Sequence, residues 1–268
     1  MKGSEKRGIY RYSNHDLKKD YDFVASESPL KISIIDYNGL SHNLGITMRT
    51  IGNDRELIIG FLYAEGIIDG FNDVEEINLA EEVVVKLSKS ATFDPSIHLR
   101  TSTVTSACGI CGRMSAEGFV EMAYPQISEG FMISIDVINN SILKMTDQQI
   151  LFSETGGSHA CASFDVNGVL VHIFEDVGRH NAMDKLVGAH IAEGKIPVTN
   201  NFAIVSGRAS YELVQKSIRA GFSALIAIGA PSTLAIDLAR EYGITLACFA
   251  KNESLNVYSG SRRIQNKF

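Results

Sequence analysis

The run Phe202-Ala203-Ile204-Val205-Ser206-Gly207-Arg208-Ala209-Ser210-Tyr211-Glu212 decides how this chain is built. Four apolar residues that suit a buried strand end at a glycine-bearing turn, and a helix follows over residues 210–220. The pattern then repeats as a strand over 224–228, a helix over 233–242 and a strand over 244–249. Working backwards, residues 179–192 place Met183, Leu186, Val187 and Ile191 at helical spacing, with Gly194 as the stop. Strands over 159–165 and 169–174 are joined by Asn167-Gly168, a hairpin signal, and residues 135–145 suit a further helix. Strands alternating with helices predict a parallel or mostly parallel sheet covered on both faces, an α/β architecture.

Before residue 125 the order is different. Residues 31–37 alternate as a strand, Asn38-Gly39 is a favoured hairpin turn, and residues 40–50 should return antiparallel. Asn53 with Glu56 suits an N-cap pair for a helix over 54–65, ended by Gly66. Strands are expected over 74–80, 82–87 and 97–104, whereas residues 1–29 read as loosely ordered. The polar stretch Tyr124-Pro125-Gln126-Ile127-Ser128-Glu129-Gly130 marks the expected boundary between a strand-rich α+β domain, 1–125, and a second domain, 130–268.

A length of 268 residues with 45% hydrophobic content suits two domains with sizeable cores. The net charge of −6 counts against a general nucleic-acid binder. Residues 1–19 lack the apolar core of a signal peptide, and the most apolar helical run, 57–64, is too short to cross a bilayer. Four cysteines without a secretory signal fit a reducing compartment. A soluble, cytoplasmic protein is expected, with neither membrane nor nucleic acid among its partners.

The chemistry concentrates in Thr105-Ser106-Ala107-Cys108-Gly109-Ile110-Cys111-Gly112-Arg113. Glycine after each thiol leaves the sulfurs unshielded, and Arg113 together with a short helix expected over 115–123 would favour the reactive thiolate. A zinc knuckle would need a second ligand pair at ordered spacing, which the chain lacks. A thioredoxin-type redox pair matches in part, since a parallel strand after the expected helix is missing. Sulfur chemistry, metal binding and two small structural residues remain as readings of this loop. Cys161 and Cys248 stand alone in apolar strands and are expected to be buried.

In open α/β sheets ligands bind beyond the carboxyl ends of the strands. The segments expected there are Glu175-Asp176-Val177-Gly178-Arg179-His180, Ser206-Gly207-Arg208-Ala209-Ser210, Gly229-Ala230-Pro231-Ser232 and Ala250-Lys251-Asn252. Helix starts with glycines, hydroxyls and arginines suit an anion such as phosphate; singly, they also suit ordinary turns and caps. Asp184, one turn after His180, is placed to orient its ring. Gly156-Gly157 in Thr155-Gly156-Gly157-Ser158-His159 allows close approach to a ligand, or only a tight turn.

Taken together, Met48-Arg49-Thr50, Glu65-Gly66-Ile67-Ile68, the Cys108–Gly112 loop, Thr155-Gly156-Gly157, Glu175 to Ala182, Ser206-Gly207-Arg208 and Asn256-Val257-Tyr258-Ser259 occur in one order, and in this the chain resembles the FdhD/NarQ family of formate dehydrogenase accessory sulfurtransferases. The resemblance runs from Pro29 onward. It implies a sulfur carrier that takes persulfide sulfur from a cysteine desulfurase of the IscS type. The sulfur would pass to the molybdenum or tungsten of the bis(molybdopterin guanine dinucleotide) cofactor, as formate dehydrogenase requires. Cys108 would hold the persulfide, with Cys111 as helper or alternative acceptor. The second domain would resemble cytidine deaminases, a three-layer α/β/α fold, but without their zinc ligands or catalytic Glu, so that no zinc is expected. The guanosine diphosphate arms of the cofactor would lie over Gly156, Gly157, Asp176, Arg179, His180, Ser206, Gly207, Arg208 and the segment Phe249, Ala250, Lys251, Asn252, Glu253, Ser254. Asp176 is the expected acceptor for the guanine edge. Two arms suggest a two-fold homodimer. Ile51 stands where the family usually has Pro, and Lys251 where it usually has Arg, which keeps charge but loses bidentate phosphate recognition. A cofactor- or nucleotide-binding chaperone with a structural or metal-binding cysteine pair is the alternative.

Overall fold

Ser4–Ser13 (β1) and Asp16–Ala25 (β2) pair in register as a long antiparallel hairpin turned by Asn14 and His15, both in the left-handed region at φ 50° and 63°. A two-residue turn of that hand matches the twist of the strands, so the loosely ordered start expected from sequence is corrected to a hairpin. In a computed structural model, residues 3–80, 82–99, 124–128, 130–251 and 253–266 are described.

Ser28–Ile35 (β3) and Ser41–Arg49 (β4) form the expected hairpin, and Val74–Leu79 (β5) and Glu82–Leu87 (β6) complete a sheet in the order β4-β3-β6-β5. The Asp36 carboxylate accepts from the N–H groups of Asn38 and Leu40, and Gly39 takes φ 82°. The same device recurs at Asp165, which accepts from Asn167 and Val169 with Gly168 at φ 74°. Each loop thus supplies its own acceptor and a residue free to turn left. Asp54–Ala64 (α1) starts without the expected Asn53 cap: Asn53 is left-handed and makes no side-chain cap. Asp54 instead takes a bidentate ion pair from the buried Arg49 guanidinium, at 2.8 and 3.0 Å. The strand expected over 97–104 begins inside a helical turn, Pro95–His98 (α2), because Pro95 presets the backbone and Asp94 caps Ser96 N–H; residues 100–104 lie outside those described.

Ile133–Ser134 (β7) and Ile135–Gln148 (α3) lead to a short helix not expected from sequence, Ile150–Thr155 (α4). His159–Asp165 (β8), Leu170–Asp176 (β9), Arg179–Ala192 (α5), Asn201–Val205 (β10), Tyr211–Ala220 (α6), Ala224–Ala227 (β11), Thr233–Glu241 (α7) and Thr245–Lys251 (β12) follow the sequence reading closely. Ser254–Ser259 (β13) adds an edge strand, and Ile264–Gln265 (β14) pairs with β7. The sheet runs β13-β12-β11-β10-β8-β9. Only β10-β11 and β11-β12 are parallel, so the mostly parallel sheet is corrected to a mixed one. Short connections such as the Asp165–Val169 turn can join antiparallel strands alone, since parallel pairs need a crossover.

Apolar clusters cover both faces of this sheet. Along β10, Phe202 and Ile204 join one apolar cluster with Ile138 and Met145 of α3, while Ala203 and Val205 join another with α5 and α6. That second cluster continues into Leu57, Ile58, Ile59 and Leu62 of α1 and Ile32, Ile34, Val83 and Val85 of the four-stranded sheet. Each such fully buried side chain contributes about 1.5–3 kcal/mol. The apolar core therefore runs across the polar stretch 124–130 expected to separate the domains. Where α1 crosses α5, a Cβ on Gly60 would lie 1.9 Å from Asp184 O, and one on Gly188 would lie 1.9 Å from Glu56 O. Backbone meets backbone there, which only glycine permits. Among the described residues no helix is long and apolar enough to cross a membrane.

Candidate functional site

The loops singled out from sequence do meet at one edge of the six-stranded sheet. His159 pairs with Asp176, placing the start of β8 beside the end of β9, and the carboxyl ends of β10, β11 and β12 reach the same edge. Backbone bonds lace them: Ser206 N–H to Ala160 O, Gly229 N–H to Gly207 O, and Phe249 N–H to Gly229 O. Helices α5, α6 and α7 all begin here. Ser210 and Ser232 cap α6 and α7 through their hydroxyls, whereas α5 starts at Gly178 with no side-chain cap. The N–H dipoles of helix starts favour an anion.

Asp176 has another task than the guanine contact expected of it. It is fully buried, pairs with Lys185 Nζ at 2.7 Å, and accepts from Thr50 N–H, Gly178 N–H and Asn181 Nδ2. With its lone pairs occupied and no surface, it is a structural anchor, and the guanine role is corrected on that ground. Lys185 also donates to Thr50 O, Thr50 Oγ accepts from Val177 N–H, and Asn181 Nδ2 donates to Met48 O. The stretches Met48-Arg49-Thr50 and Glu175 to Asn181 are thus two halves of one lock between β4 and α5. Glu175 accepts from the N–H groups of Leu151 and Phe152 and so caps α4. Gly156 closes that helix at φ 64° and Gly157 packs beside Ala25, so the tight-turn reading accounts for this pair.

Around the start of α5 the side chains are left with capacity to spare. His180 is 5% exposed; its Nε2 lies 2.7 Å from Glu212 Oε2 and 3.4 Å from Ser210 Oγ. The expected partner, Asp184, is corrected: it is buried against Lys216, and burial raises its carboxyl above the usual range. Among the described residues, His180 Nδ1 and Arg179 Nε are buried with no hydrogen-bond partner. His159, close to both, is held below the ordinary imidazole range by burial and by the Arg179 and His180 charges. Ser206 Oγ accepts from Ala160 N–H, and Arg208 is exposed.

Phe249 is held at φ 55° with its ring 40% exposed, a strained setting for an aromatic residue, while Ala250 beside it is fully buried. Lys251, Glu253 and Ser254 are exposed; Asn252 lies outside the described residues, as do Cys108 and Cys111 with the helix expected over 115–123. Cys161 and Cys248 are fully buried free thiols, and burial raises both, Cys248 to about 12. Among the described residues no three His, Cys, Asp or Glu side chains gather as a metal set. Sequence reasoning missed Thr50, Lys185 and Glu212. Glu212 reads as an ordinary first-turn acid, and only the fold brings it to a histidine 32 residues away.

The model of the FdhD/NarQ family matches residues 25–265. The chain is 40% identical to the sulfur carrier protein FdhD of Saccharolobus solfataricus over 256 residues, 96% of each chain. It is also 40% identical to that of Thermoplasma acidophilum, over 98% of this chain and 94% of the other, and 38% identical to that of Streptomyces avermitilis, over 97% and 95%. The crystal structure of a formate dehydrogenase accessory protein from Desulfotalea psychrophila superposes with a TM-score of 0.81 over 98% of this chain and 99% of that one, at 23% identity.

Proposed function

The chain belongs to the FdhD/NarQ family of sulfur carriers, and from that premise we propose that it moves sulfane sulfur as a persulfide on Cys108 to a metal cofactor held at the sheet edge. The donor is a cysteine desulfurase: the Cys108 thiolate attacks the donor's outer sulfur and the donor cysteine leaves as thiolate. The acceptor is the molybdenum of the bis(molybdopterin guanine dinucleotide) cofactor destined for formate dehydrogenase, with Cys111 assisting. The second domain, 130–268, works as a cytidine-deaminase-like holder for the cofactor's guanosine diphosphate arms, and residues 1–125 bring the cysteine loop to it. A two-fold dimer offers one such edge to each arm.

One observation supports the cargo site above others: α5, α6 and α7 begin at a single edge together with Arg179 and Arg208. Helix starts and guanidinium groups are what a diphosphate binds. Lys251 and Phe249 extend the edge towards the base. The test is formate dehydrogenase activity in cells whose only copy is Cys108→Ala. The expected result is inactive enzyme with its cofactor still bound, and normal activity would refute the persulfide role. Equal loss for Cys111→Ala would turn the helper into a relay partner.

A further inference from the structure

A two-stranded ribbon standing alone is marginally stable in water, yet every residue of β1 and β2 except Ser4, Ile9 and Ala25 is exposed. Directly paired residues share a face and successive residues alternate, so the register sorts the ribbon into two unlike faces. One holds all its carboxylates, Glu5, Asp16, Asp20 and Asp22, and they are answered within the ribbon. Arg11 Nε lies 2.6 Å from Asp20, Lys18 Nζ lies 3.0 Å from Asp16, and Arg7 pairs with Glu5. The other face presents Tyr10, Tyr12, Leu17, Tyr21 and Phe23, with exposures from 43% at Phe23 to 67% at Tyr12, beside Lys6 and Lys19. Those five apolar side chains leave about 500 Å² open on each copy of the chain.

The middle row of that face pairs Gly8 with Tyr21. Gly8 does not take a left-handed φ, and a Cβ built on it would meet nothing within 4 Å, so among the described residues neither backbone nor neighbour requires a glycine there. A glycine inside a strand weakens it and marks a place where another group comes close. Resting on the reading of this protein as a two-fold dimer, we propose that the aromatic faces of two ribbons pack together about an axis running along them, each Tyr21 ring seated in the notch at Gly8 of the other copy. Such an axis exchanges the two strands and keeps the rows level, so each residue meets its own row partner from the second chain. Lys19 then lies over Tyr10, Lys6 over Phe23, and Leu17 against Tyr12. The lysines face rings rather than each other, a contact that Lys6 already makes within one ribbon, 4.4 Å from the Tyr21 centroid. Two such faces bury about 1,000 Å² together, the size at which specific association begins. An acidic peptide would answer the lysines but not the notch; a second copy accounts for both.

Sedimentation velocity of the full chain over a range of concentrations tests this, with urea unfolding as a check that each variant keeps its fold. Wild type should be dimeric. Tyr21→Ser should raise the dissociation constant at least about 30-fold, as the loss of a central aromatic anchor does. Gly8→Val is the sharper variant. A β-branched residue suits a strand better than glycine, so the ribbon itself is not weakened, yet the filled notch should raise the dissociation constant about ten-fold or more. Tyr37→Ser, at a similarly exposed tyrosine between β3 and β4, should change nothing. A dimer of equal strength in wild type, Tyr21→Ser and Gly8→Val would overturn the ribbon contact and leave the two-fold reading intact. A wild type that stays monomeric at about 100 μM would overturn both.

Discussion

The two ends of α5 each bury a histidine, and their surroundings differ. At the start, His180 meets the Glu212 carboxylate beside Arg179 and an uncapped helix terminus. At the end, His190 is fully buried against the Phe222 and His172 rings, with Nε2 2.9 Å from Ser163 Oγ. Burial, with His172 adding to it, pushes His190 down to about 4. Nδ1 of each ring lacks a partner among the described residues. An unpartnered nitrogen is therefore not what marks a site. What distinguishes His180 is the charge around it: the Glu212 carboxylate against the ring and the Arg179 guanidinium on the preceding residue, at the start of a helix rather than its carbonyl end.

Both histidine environments depend on α5 holding its place against α1, and Gly188 is where that packing is most vulnerable. In Gly188→Val a side chain would enter the space of Glu56 O. Destabilisation of about 5 kcal/mol or more is expected in urea unfolding, since backbone cannot yield as a side chain can. Next is the anchor near the helix start: Lys185→Met leaves Asp176 charged and unpaired in the interior, at a cost of about 4 kcal/mol. Asp176→Asn should recover part of that loss in the double variant, and additive losses would show the pair is not coupled.

A smaller effect sharpens the contrast at the other end. His190 is depressed in the folded state, so as pH falls the unfolded chain takes its proton first, near 6.5. Stability present above pH 6.5 should be lost as pH falls towards 4, by up to about 3 kcal/mol, and His190→Gln should flatten that slope. A slope unchanged in the variant would assign it to other groups. Smaller still is the thiol contrast: Cys161 and Cys248, buried and raised, should alkylate only on the time scale of unfolding.

Much of the second half was legible because strand, turn and helix each left a local mark. Ser210, Asn167-Gly168 and Gly194 stand at element ends, and the bounds of β8 and α5 agree with those read from sequence. The mixed direction of the sheet was not legible, because strand pairing depends on connections that composition does not encode. Nor was the hairpin of β1 and β2, whose strands are nearly all exposed and so lack the alternation that reveals a half-buried strand. In the candidate site, residue types singled out loops that the fold brings to one sheet edge, yet the buried Lys185 partner of Asp176 and the Glu212 carboxylate beside His180 were not legible. A carboxylate on a loop looks the same in sequence whether it faces solvent or a buried lysine.

The most direct measurement is intact-protein and peptide mass spectrometry after incubation with a cysteine desulfurase and cysteine. One extra sulfur on Cys108, abolished in Cys108→Ala and absent from Cys161 and Cys248, is the expected outcome. Sulfur loading that survives Cys108→Ala, or that resides on either buried thiol, would contradict it.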